Sequence, residues 1–130
     1  FPYLKEDEIV IAADTTVIID NTILGKPDNT KEARQMLTSL SGRSHHVTTG
    51  VCIKDKHQLD SFTDTTWVQF RTLTDKEIDY YIKNYEPFDK AGAYGIQEWI
   101  GMIGIDRIEG SYFTVMGLPI HKLYTYLLRH

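Results

Sequence analysis

The apolar positions of this chain change period several times, and each change marks an element. Residues 9–13 form an unbroken apolar run rich in β-branched side chains, the pattern of a strand covered on both faces, as in the parallel sheets of α/β proteins. That reading puts Asp14 at the strand's carboxyl end, the side of an open α/β sheet where ligands bind. Residues 17–20 and 22–24 follow as short strands around Asp20-Asn21, a turn-prone pair. From Asn29 the period lengthens: Ala33, Met36, Leu37 and Leu40 recur at helical spacing, Asn29 with Glu32 makes a capping-box-like start, and Gly42 supplies a stop. Residues 47–53 and 61–70 return to Val, Thr, Ile and aromatics and read as a hairpin joined through Lys54-Asp55-Lys56. A second capping box, Thr74 with Glu77, opens a helix whose stripe is Ile78, Tyr81, Ile82 and Tyr85. Glycines at 92, 95, 101, 104 and 110 then interrupt every period, which predicts a functional loop followed by a short strand at 100–105. Pro119 begins a last helix, with Ile120, Leu123, Tyr124, Leu127 and Leu128 as its buried face. No repeat or linker breaks the pattern, so residues 1–130 read as a single α/β or α+β domain.

Composition narrows the class of function. With 42% hydrophobic and 25% charged residues in 130, the chain matches a soluble globular domain long enough for one core. A net charge of -4 and a pI near 5.7 argue against a binder of duplex nucleic acid with a broad basic face, so any phosphate site must be focal. Cys52, the only cysteine, excludes an intramolecular disulfide framework and a cysteine metal cage; it is expected as a small buried residue of its strand, in a reducing cytoplasm. No apolar run reaches bilayer-spanning length, and no basic-then-apolar leader opens the chain, so a soluble cytoplasmic protein without membrane contact is expected.

Five residues carry candidate chemistry, each beside a plainer role. Asp14 is suited to act as a general base or to hold a hard cation next to a phosphate, and equally to cap a strand end. Thr15 and Thr16 have hydroxyls that either satisfy local backbone or read a ligand edge. Lys26 lies between Gly25 and Pro27, where close backbone approach and a stiff exit can hold its ammonium toward a phosphate. An exposed turn lysine is the alternative. Gln97 ends a glycine-containing loop with an amide that donates and accepts, as reading a base edge requires, or is a plain surface residue. His45 and His46 point to opposite faces of a strand, and no histidine spacing supports zinc. The glycines complete no dinucleotide-binding or P-loop fingerprint, and no GxSxG elbow is present.

An ordered set of short motifs adds a family. Ala13-Asp14-Thr15, Gly25-Lys26-Pro27, Glu32-Ala33-Arg34 to Met36-Leu37, Leu40-Ser41-Gly42-Arg43, Thr49-Gly50-Val51, Tyr81-Ile82, Lys90-Ala91-Gly92-Ala93-Tyr94-Gly95-Ile96-Gln97, Glu109-Gly110-Ser111-Tyr112 and Gly117-Leu118-Pro119 together resemble the Maf (septum formation) family of nucleotide pyrophosphatases. The resemblance implies a Maf/ITPase-like α/β fold, with a mixed twisted sheet flanked by helices. It also implies hydrolysis of nucleoside triphosphates to the monophosphate and pyrophosphate with a divalent cation, Mg²⁺ or Mn²⁺. On that analogy Asp14 is the base and a metal ligand, Lys26 binds phosphate, and Thr15 and Gln97 select the base. Gly95-Ile96-Gln97 looks like the dTTP/UTP-directed branch, open to modified pyrimidine nucleotides, with Glu98-Trp99 where a glycine is more usual. A homodimer is the family expectation. The family's opening strand and its Ser-Pro-Arg-Arg-type phosphate loop have no counterpart here, so the chain reads as an N-terminally truncated copy, weakly active by itself. The competing expectations are a nucleotide-binding regulator of septum formation with little or no hydrolysis, and a structural or oligomerisation module.

Overall fold

In the computed structural model, which describes residues 4–129, the first β-branched run does not stop at Asp14. Thr15, Thr16, Val17, Ile18 and Ile19 continue it, and one strand, β1 (Val10–Ile19), carries the whole stretch. Asp14 therefore lies in mid-strand, opposite Gly50 of the neighbouring strand, and not at a carboxyl end. Asp20 and Asn21 both take positive φ, 51° and 61°, the turn that lets β2 (Thr22–Leu24) fold back on β1.

Helix α1 (Thr30–Leu40) begins as its sequence predicts: the Glu32 amide donates to Asn29 Oδ1 at 2.9 Å. The Glu32 carboxylate reaches back to the Asp28 amide, one residue before the cap. Strands β3 (Ser44–Lys54) and β4 (Leu59–Phe70) form the predicted hairpin, each longer than its apolar core. The Asp55 carboxylate closes the connection by accepting from the amides of His57 and Gln58. Helix α2 (Asp75–Tyr85) opens with a complete Thr74–Glu77 capping box.

Two single 3₁₀ turns, Pro87–Asp89 and Ala91–Ala93, lead into α3 (Trp99–Gly104), β5 (Ile105–Glu109), α4 (Tyr112–Met116) and α5 (Ile120–Arg129). The predicted strand at 100–105 is thus mostly helix. Its glycines act as contact points: a Cβ on Gly101 would stand 1.9 Å from the Ile96 carbonyl oxygen, so only glycine lets this turn close.

The sheet order is β2-β1-β3-β4-β5, and every pairing among the described residues is antiparallel. The α/β class with flanking helices stands; the two-sided parallel strand does not. β2 pairs only with Val17, Ile18 and Ile19, so residues 10–16 of β1 have an open edge among the described residues. Ile11 there is 39% exposed. The core forms where the sheet is covered: Val17, Val47, Val68 and Phe70 pack against Ala33, Leu37 and Leu40 of α1 and Ile78 and Tyr81 of α2. Cys52, expected inside, is exposed, because β3 alternates and its neighbours Val51 and Ile53 take the inward positions. In α5 only Leu123 of the predicted stripe is buried; Ile120, Tyr124, Leu127 and Leu128 are exposed. Periodicity identified the amphipathic face but could not tell what covers it.

Candidate functional site

A cleft lies at the open edge of β1, and four of the five candidate residues line it: Asp14, Thr15, Lys26 and Gln97. Thr16 does not. Successive strand residues face opposite ways, so Thr15 shares the face of Val17 and Val47, which also line the cleft, while Asp14 borders it from the unpaired edge.

Lys26 comes from the loop after β2, where Pro27 is buried. The loop is tied across the cleft: the Gly92 amide donates to the Gly25 carbonyl at 3.1 Å. Gly92 sits at φ 70° directly on β1, where a Cβ would lie 3.0 Å from a Val17 methyl. Glycine is needed there twice over, for the left-handed backbone and for the close approach.

Gln97 is exposed at the tip of the following loop, and the loop beneath it is held by Tyr81. The Gly95 amide donates to Tyr81 Oη at 3.0 Å, and Tyr81 Oη donates to Glu98 Oε1 at 2.7 Å. Burial first, and the bond to the Glu98 carboxylate second, push the Tyr81 phenol well above its ordinary pKa. It stays protonated and keeps donating. Glu98, the departure from the family pattern, is therefore part of the support of the loop.

Behind the cleft wall runs a chain of hydroxyls. Thr15 Oγ1 and Thr49 Oγ1 are 2.9 Å apart, Thr49 Oγ1 donates to the Thr114 carbonyl at 2.8 Å, and Thr114 Oγ1 donates to Asp64 Oδ2 at 2.6 Å. This chain latches α4 onto β3 and β4 and so places Val115 and Met116 in the cleft wall. Beneath the floor, His45 Nε2 and Tyr94 Oη are 2.6 Å apart and the imidazole stacks on Phe70. Burial, with His46 nearby, pushes the His45 pKa down to about 4, so it is a neutral core residue at physiological pH.

Sequence reasoning gave no role to several cleft residues. Asp89 and Lys90 both line it, with Lys90 Nζ 3.7 Å from Asp89 Oδ2; a charged pair next to the glycine-interrupted stretch was the available signal. Tyr81 read as one more core position, and helical periodicity holds no sign of its second role. Among the described residues no group of three or more His, Cys, Asp or Glu is placed to hold a metal ion. Mg²⁺ bound to a nucleotide uses one or two protein carboxylates and takes its other ligands from phosphate and water, and Asp14 with Asp89 fits that donor set.

The chain is 57% identical over 124 residues to a protein of Phocaeicola vulgatus named dTTP/UTP pyrophosphatase, covering 95% of this chain and 64% of that relative. Proteins of the same name from Porphyromonas gingivalis W83 and Flavobacterium psychrophilum are 55% and 50% identical over 124 and 127 residues, covering 95% and 98% of this chain. Those alignments take in 62% and 65% of the two relatives. The chain thus spans less than two thirds of the length of these curated relatives. A family model described as Maf-like protein matches residues 2–130, taking in every residue that lines the cleft, and on that match the chain belongs to the Maf-like family.

Proposed function

We propose that the protein carrying this chain is a nucleoside triphosphate pyrophosphatase that hydrolyses dTTP and UTP, and modified pyrimidine nucleotides, to the monophosphate and pyrophosphate. The observation that carries the reading is that Asp14, Lys26 and Gln97, from three separate stretches of sequence, meet in one cleft. The relatives' name supports the choice of nucleotide.

The chemistry follows from the charges. Water attacking a triphosphate must lose a proton while negative charge builds on the phosphate oxygens. Asp14 takes the proton. Lys26, and Lys90 on the opposite loop, offset the developing charge, and Thr15 with Gln97 reads the base. Asp14, with Asp89 from the same cleft lining, would hold a divalent cation, Mg²⁺ or Mn²⁺, which when bound supplies further charge neutralisation. The protein works as a homodimer in the cytoplasm, a setting that a single, exposed cysteine suits. No helix among the described residues is long and apolar enough to cross a membrane.

A panel of nucleoside triphosphates with pyrophosphate detection, run on the whole protein, tests the proposal. Saturable, cation-dependent pyrophosphate release from dTTP and UTP is expected. Tight nucleotide binding without turnover would instead make the protein a nucleotide-dependent regulator.

A further inference from the structure

We propose that Thr49 is a positioning residue that fixes the Thr15 hydroxyl as a hydrogen-bond acceptor, so that the cleft selects bases with a protonated ring nitrogen, as uracil and thymine have at N3, over cytosine. This deepens the proposed pyrimidine-nucleotide reading and rests on it.

The direction of each hydrogen bond decides the matter. A hydroxyl has one hydrogen to give, and a carbonyl oxygen can only accept. Thr49 Oγ1 lies 2.8 Å from the Thr114 carbonyl oxygen, so its hydrogen is committed there. Thr15 Oγ1, 2.9 Å from Thr49 Oγ1, can bond to it only by donating. What Thr15 has left for the cleft is lone pairs.

The arrangement is locked from behind. Thr49 and Thr114 are both 0% exposed, so no solvent competes for their bonds. Thr114's own hydroxyl is spent on Asp64 Oδ2, and Lys122 Nζ holds Asp64 Oδ1 at 2.8 Å. The Thr114 carbonyl that anchors the chain therefore cannot turn away without breaking these contacts.

Gln97 cannot make the same distinction alone. Its amide offers a donor and an acceptor and can flip to suit either uracil or cytosine. A fixed acceptor differs: it meets the imide N3–H of uracil or thymine productively and the bare N3 lone pair of cytosine repulsively. Sites built to bond a substrate group reject analogues that lack it far more strongly than apolar pockets reject a change of size.

The test is kcat/KM for UTP and CTP in the whole protein, comparing wild type, Thr49→Val and Thr49→Ser. Thr49→Val keeps the shape but frees the Thr15 hydrogen, so the UTP:CTP preference should fall about tenfold or more. Thr49→Ser, which restores the hydroxyl, should retain the preference. A folded Thr49→Val protein with the wild-type ratio would overturn the relay and leave the pyrophosphatase reading intact. Wild-type protein with 3-methyl-UTP, which lacks the N3–H, needs no variant: turnover equal to that of UTP would also overturn the relay, and strong rejection is expected. If wild type turns over neither nucleotide, the underlying functional reading fails and the relay fails with it.

Discussion

Tyr81→Phe removes one oxygen atom and, with it, the support of the Gln97 loop. The Tyr81 ring is wholly buried in the core between sheet and helices, so the variant keeps its packing. It loses two hydrogen bonds: the one accepted from the Gly95 amide at 3.0 Å and the one donated to the Glu98 carboxylate at 2.7 Å. A neutral bond contributes about 1 kcal/mol and a bond to a charged group about 1.5–3 kcal/mol, so the loss is roughly 2–4 kcal/mol. For a domain of this size about 4 °C of Tm accompanies each kcal/mol, which predicts a drop of roughly 8–16 °C in a thermal melt. Because Gly95 lies two residues before Gln97, KM for dTTP should rise as well, measured where the variant is still folded. A Tm within about 2 °C of wild type would refute the claim that this network stabilises the fold. A large drop in Tm with unchanged KM would refute its link to the site.

Two further outcomes follow from particular contacts. Gly92→Ala forces a side chain into left-handed backbone at φ 70° and against Val17 at 3.0 Å, which should cost roughly 2–4 kcal/mol in a urea titration; a cost under about 0.5 kcal/mol would show that the loop moves freely off β1. Arg71 first, and the Thr74 amide second, hold the Glu77 carboxyl down to about 2 against an ordinary 4.5. The stability this contributes is complete above about pH 4.5 and is lost as pH falls toward 2. Glu77 is 25% and Arg71 34% exposed, so screening reduces the contribution to about 1 kcal/mol. Arg71→Met should flatten the stability profile between those pH values, and an unchanged acid limb would contradict the assignment.

The elements whose signals are local were legible in the sequence. Asn29 and Thr74 cap α1 and α2 through their own side chains, and Asp20-Asn21 makes its turn with backbone angles those residues tolerate. What failed were features decided by distant partners. The apolar run at 9–13 does not state whether both faces will be covered, and here the strand continues to Ile19 with an open edge. The stretch at 100–105 is helical up to Gly104, which packs directly on Leu73 and Phe70, contacts some thirty residues away in sequence that no local pattern shows. The cleft residues were legible one by one, as types suited to phosphate and base. Their convergence was implied by the family resemblance alone; the contacts that build it, the Gly92–Gly25 bond and Tyr81, which helical periodicity had assigned to the core, were not legible.

The central claim is that Asp14 serves a nucleotide-hydrolysing cleft. The rate of pyrophosphate release from dTTP by the whole protein carrying Asp14→Asn tests it most directly, because the side chain is exposed and its amide replacement keeps its size. Loss of a general base costs about 10²–10⁴-fold in turnover, and the account predicts a loss in that range with nucleotide binding retained. Turnover equal to that of wild type would contradict it.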